Sequence, residues 1–223
     1  MTMDAMDAID RPRRRLLAAI VTTLAAATIA PAAPARAADA PVLLVVGDSI
    51  SAGLGVPAGA GWTDLLAARL KERGHRERVV NASISGDTTS GGRARLPALL
   101  ARHKPSIVVI ELGGNDGLRG GDLAATRANL DAMIAAARGA GAKVLVVGMR
   151  LPPNYGPAYT RRFDAMFADA ARAGGAALVP FFFEGFGEDR DFFQPDGIHP
   201  TEAAQPKLLD NVWRELAKLV ARR

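Results

Sequence analysis

The sequence contains no cysteine. That excludes a disulfide framework, a cysteine nucleophile and a lipid-modified cysteine behind a leader. It does not exclude an oxidising compartment; it means only that the fold stands without cross-links. Histidine is scarce, at three residues. None sits in an H-E-x-x-H spacing, so neither a metal nor another cofactor is expected. Two Trp and two Tyr leave little aromatic surface to stack on sugars. The formal charge is +5, but residues 1–37 hold five Arg against three Asp, which leaves +3 for the remainder. No Lys/Arg-rich patch with interleaved aromatics occurs there, so nucleic acid is not an expected partner. There is no repeat of fixed period. The G-x-S-x-G elbow of one serine-hydrolase class is also missing, because position 51 is Ser51.

What is present begins with an address. Arg11, Arg13, Arg14 and Arg15 form a basic region, and Leu16 to Ala30 is a 15-residue apolar stretch. That is short of the ~20 residues that span a bilayer. A Pro/Ala segment follows, and Ala35-Arg36-Ala37 fits a small-x-small cleavage site. Residues 1–37 are therefore expected to be a signal peptide and 38–223 one domain. The mature protein is expected in the periplasm or secreted, with no stable membrane insertion after cleavage.

From residue 41 the chain alternates. Val42–Val46, Val79–Val80, Ile107–Ile110, Val144–Val147 and Ala177–Val179 read as short strands, in a pattern suited to burial on both faces. Helical faces lie between and after them: Trp62, Leu65, Leu66 and Leu70 ahead of Gly74; Leu123, Leu130, Met133, Ile134 and Ala137, with Asp122 as N-cap and Gly139 beyond the end; and Leu208, Leu209, Val212, Leu216 and Leu219. The expected fold is α/β: a three-layer, doubly wound sheet of about five parallel strands with helices on both faces. Ligands bind beyond the carboxyl ends of such strands.

Ser49 ends the first strand, in "VLLVVGDSISAGLG". It is either a cap of the next helix or a nucleophile. The small residues after it are expected to clear space for an acyl carbon within about 3 Å of Oγ. A nucleophilic serine needs a base. His75 follows a helix end and His103 lies at a basic helix end, so both read as surface histidines. His199, in "QPDGIHP", comes three residues after Asp196. Asp196 either folds onto the imidazole or closes an Asx turn on backbone N–H groups. Two loops offer oxyanion donors: Gly86 in "NASISGDTTSGG" and the Asn115 side chain in "ELGGNDG". Asp87 and Asp116 read as turn or cap residues rather than acid–base pairs. The stretch "MRLPPNYGPAY" follows the fourth strand, so Leu151 and Pro152 are expected to wall an apolar acyl groove.

"GDSISAGLG", "NASISGDT", "LGGND" and "DGIHP", in this order, resemble the signature blocks of the SGNH (GDSL-type) hydrolase superfamily. "VVNASISGDTTSGGRARLPALL" and "RLPPNYG" are similar to its bacterial periplasmic acyl-CoA thioesterase/lysophospholipase/arylesterase branch. The resemblance implies the flavodoxin-like SGNH fold, with Ser49 as nucleophile, His199 as base and Asp196 orienting it. It implies an oxyanion hole of the Ser49 and Gly86 N–H groups and the Asn115 amide, no metal and no cofactor. The expected partner is a small-molecule fatty-acyl ester or thioester substrate, met by a monomer. A carbohydrate deacetylase of the same superfamily, or a catalytically silent lipid- or glycan-binding module, stands as the alternative.

Overall fold

A computed structural model describes residues 40–220. The signal peptide expected at residues 1–37 lies outside them. Five parallel strands, β1 (Val42–Gly47), β2 (Arg78–Asn81), β3 (Ile107–Glu111), β4 (Lys143–Val147) and β5 (Ala177–Val179), form one sheet in the order β2-β1-β3-β4-β5. This is the doubly wound order whose direction reverses between β1 and β3. Burial on both faces holds for β1, β3 and nearly all of β4. It does not hold for β2 and β5: each is a sheet edge with a neighbour on one side only, and each is partly exposed.

Among the described residues seven α-helices follow in chain order: α1 (Ser49–Ala52), α2 (Trp62–Glu72), α3 (Thr89–His103), α4 (Gly114–Leu118), α5 (Leu123–Gly139), α6 (Pro157–Gly174) and α7 (Gln205–Leu216). α2 and α7 pack together along one face of the sheet; α3, α5 and α6 form the layer on the other. α2 has only Gly61 as N-cap, with no side chain to offer, and the Gln205 Oε1 of α7 accepts from Trp62 N at 3.0 Å instead. Asp122 caps α5 through Ala124 N, as its spacing predicts; Gly139 is the last helical residue rather than the one beyond. α4 forms where a loop is expected. The stretch from Met149 to Tyr159 is loop only to Pro152, then a 3-10 turn (Pro153–Tyr155) and the start of α6.

The core is continuous from Trp62, which meets Phe182 edge-on at 5.7 Å, through the three central strands to Phe163 and Phe167. The loops leaving the carboxyl ends of β1 and β3 start at adjacent points on this rigid base, and they carry Ser49 and Asn115.

Candidate active site

β1 ends at Gly47 because no larger residue fits. A Cβ there would lie 2.7 Å from Ser51 Cβ and 2.8 Å from Glu111 Oε2. Asp48 then caps the one-turn α1, its Oδ1 accepting from Ile50 N at 3.0 Å. Ser49 is the first residue of α1, so its N–H has no acceptor within the helix. Its Oγ lies 2.9 Å from His199 Nε2.

His199 sits in a turn closed by Gln194, whose N donates to His199 O at 2.7 Å and whose Nε2 donates to Leu54 O at 2.7 Å. Asp196 does both things its spacing allows. Oδ1 accepts from the backbone N of Ile198 (2.8 Å) and His199 (3.0 Å), and Oδ2 lies 2.7 Å from His199 Nδ1. The Asx turn aims the carboxylate at the ring. The hydrogen bond with the imidazole, then those from the two backbone N–H groups, hold the Asp196 carboxyl at about 2. With Nδ1–H assigned to Asp196 by this network, Nε2 is the acceptor for the Ser49 hydroxyl.

Asn115 Nδ2 donates to Asp48 Oδ2 (3.1 Å) and to the Asp87 carbonyl (3.0 Å), so the β1, β2 and β3 loops converge on one side chain. Gly86 takes φ +78° in the β2 loop, and its carbonyl accepts from Arg119 Nη2 at 3.1 Å. Asp116 accepts from Thr89 N and Thr89 Oγ1 at the start of α3, which is the cap role its context suggests. Asp87 bonds the N–H of Thr88 and pairs with Arg95. His75 packs edge-on against Trp213 and His103 ends α3; neither joins the site. Among the described residues no group of three or more His, Asp or Glu is arranged to hold a metal.

Ser49, Asn115 and His199 open into a cavity of about 470 Å³. Leu118, Leu151, Pro152, Pro153, Phe181 and Phe183 give it an apolar wall. Leu151 and Pro152 are where the sequence puts them. The phenylalanines are not anticipated, although "FFFEGF" follows β5 and so must emerge at the same sheet end. Another expectation is corrected. The small residues after Ser49 do not clear the cleft, since from α1 only Ser49 and Ile50 line it. Ser51 turns inward, donating to Glu111 Oε2 at 2.7 Å and accepting from Trp62 Nε1 at 3.2 Å. Its size is set by that buried contact.

Glu111 is the other unanticipated group, an acid at the end of an otherwise apolar buried strand. Its Oε2 also faces Asp48 N at 3.4 Å. Burial, and then the negative charge of Asp48, push Glu111 well above its ordinary 4.5. Burial likewise raises Asp48 from 3.8 to about 6.

Residues 45–205 match the family model described as GDSL-like Lipase/Acylhydrolase family. The chain is 57% identical over 183 residues to Esterase TesA of Pseudomonas aeruginosa, covering 82% of this chain and 91% of that protein. It is 44% identical over 185 residues to Thioesterase 1/protease 1/lysophospholipase L1 of Escherichia coli, covering 83% and 88%. A crystal structure of TesA superposes with a TM-score of 0.79 at 57% identity, over 80% of this chain and 99% of that one.

Proposed function

The chain belongs to the GDSL-like lipase/acylhydrolase family, a serine esterase/thioesterase of the SGNH fold, and we propose that it cleaves medium- to long-chain acyl lipid esters, lysophospholipids among them, outside the cytoplasm. One observation carries this reading: the Ser49–His199–Asp196 chain of hydrogen bonds opens into an apolar-walled cavity large enough for an alkyl chain.

In this reading His199 Nε2 takes the Ser49 proton as Oγ attacks the acyl carbon, and Asp196 stabilises the imidazolium that forms. The oxyanion is met by the Ser49 and Gly86 N–H groups and by the Asn115 amide, which gives up one of its two present acceptors to do so. His199 returns the proton to the departing alcohol or thiol. Water, activated by the same imidazole, then releases the acid from the acyl-enzyme. The leaving group makes few demands on the site, which suits both esters and thioesters.

The chain itself lies against Leu151, Pro152 and the β5 phenylalanines. Each buried methylene adds up to about 0.8 kcal/mol until the groove is full. That favours long acyl groups over acetyl, and so an esterase over a sugar deacetylase. The basic run at Arg11–Arg15, the apolar stretch and the Ala35-Arg36-Ala37 site support export, with a mature N-terminus at Ala38. An exported enzyme has no access to cytosolic acyl-CoA, which makes lipid esters its natural substrates.

The test is kcat/KM for p-nitrophenyl esters from C2 to C16, with and without Leu151→Ala. The expected profile climbs with chain length and flattens in the variant; one that is flat or peaks at C2 in the wild type removes the acyl groove. N-terminal sequencing of native protein checks export separately, and Met1 in the mature form refutes it.

A further inference from the structure

Arg95 stands on the second turn of α3, outside the triad and outside the cavity wall. Its guanidinium reaches three acceptors on two segments, the end of β1 and the loop between β2 and α3. Nε bonds Asp87 Oδ2 at 2.8 Å, Nη1 donates to the Ala82 carbonyl, and Nη2 donates to the Gly47 carbonyl at 3.3 Å. The side chain is 20% exposed and that of Asp87 11%, so the pair is largely withdrawn from water.

The acceptors lie near the three oxyanion donors. Gly47 is two residues ahead of Ser49. Ala82 and Asp87 bracket Gly86. The Asp87 carbonyl in turn receives the Asn115 amide. A single guanidinium thus spans the exits of β1 and β2 and, through Asp87, the exit of β3. The neighbouring chain leaves room for this: a Cβ at Gly91 would fall 1.9 Å from Asp87 Oδ1, so a larger residue there would push the carboxylate from its present place beside Arg95.

We propose that Arg95 is a positioning residue of the oxyanion hole, fixing the Ser49 turn, the Gly86 loop and Asn115 relative to one another. The proposal rests on the reading of Ser49, Gly86 and Asn115 as that hole. Asp87 offsets the charge of Arg95, so the effect is geometric rather than a direct field on the oxyanion. The role needs arginine. Its planar fork presents donors along several fixed directions, whereas lysine has one compact ammonium and cannot meet three acceptors spread over two segments.

The experiment compares Arg95→Met, Arg95→Lys, Asn115→Ala and the Arg95→Met/Asn115→Ala double variant of the full chain, using p-nitrophenyl octanoate and thermal unfolding. Arg95→Met is expected to lower kcat by about 30-fold or more with KM within about threefold, because the donors it displaces act on developing charge. Arg95→Lys should fall between it and wild type. In the double variant the loss should be far smaller than the product of the single losses, because both changes disable the same device. A purely structural arginine lowers the unfolding temperature without this coupling. A folded Arg95→Met with kcat within about twofold of wild type, or single losses that multiply, overturns the proposal. If Arg95→Met does not fold, Arg95→Lys, assayed below its unfolding transition, is judged by the same two criteria. An Asn115→Ala variant with unimpaired kcat overturns the hole itself; an impaired Asn115→Ala beside an unimpaired Arg95→Met overturns only Arg95.

Discussion

Asp196 and Asp48 both serve Ser49, one through a histidine and the other from the preceding position, yet their surroundings differ. Asp196 lies on a loop with 45% of its side chain exposed, takes three hydrogen bonds within its turn, and is held at about 2. Asp48 is 2% exposed, takes two, has Glu111 beside it, and is raised to about 6. Donor bonds win where water still reaches the carboxylate; desolvation wins where it does not. The charge that acts on the base therefore sits on the wet side of Ser49. The buried acids hold the turn and Asn115 in place.

The largest effects should come from the wet side. Ser49→Ala or His199→Ala should each lower kcat by about 10⁴-fold or more in an ester assay, the two losses being similar because serine without its base is a poor nucleophile. Near-normal turnover in the Ser49 variant would end the whole assignment. Asp196→Asn should cost roughly ten- to a hundredfold less than those, since its role is orientation and charge support. A loss as deep as that of His199→Ala would mean the turn itself had collapsed, which hydrogen–deuterium exchange of residues 194–200 would reveal.

On the buried side, Asn115→Ala should reduce kcat by roughly 100-fold with little change in KM. A change confined to KM would assign Asn115 to ground-state binding. The smallest effect is on stability, and it carries opposite signs for the two acids. Asp196, lowered from 3.8 to about 2, contributes stability that is present above about pH 4 and lost as the pH falls through 2. Asp48, raised from 3.8 to about 6, contributes stability that is full below about pH 4 and lost as the pH rises through 6, and Glu111 acts in the same direction. Glu111→Gln should therefore lose less Tm than wild type on going from pH 5 to pH 8. The difference should be a few degrees, since 1 kcal/mol moves Tm by about 2–4 °C in a domain of this size. Equal slopes in the two proteins would show that Glu111 is already ionised in the folded protein across that window, as it is in the unfolded chain.

The central strands were legible because a strand buried on both faces is a short unbroken apolar run, and Val42 to Val46 or Ile107 to Ile110 admits few other readings. Only the end of α3, at His103, was legible; its start was not, because Gly91, Gly92 and Pro97 look like breakers. Gly92 is there for packing: a Cβ on it would fall 2.2 Å from Leu112 Cδ1. α6 hid behind Pro157, which reads as loop but starts the helix at a position that needs no N–H. Ser49, Asp196, His199 and Asn115 carry local signals, namely a strand end, a three-residue spacing and a Gly-Gly turn. Glu111 and Arg95 carry none. Glu111 meets Asp48 and Ser51, 63 and 60 residues away, and Arg95 meets Gly47, 48 residues away; only the sheet order brings these together.

The hydrogen bond between Ser49 and His199 joins positions 150 residues apart. A polypeptide growing from its amino end holds the serine 150 residues before it acquires the imidazole. Until then the nascent chain holds a hydroxyl no more reactive than any other. In the proposed mechanism the pair is complete only after both sheet edges and helices α1 to α6 have been synthesised, so a chain stalled before residue 199 carries the serine without its base.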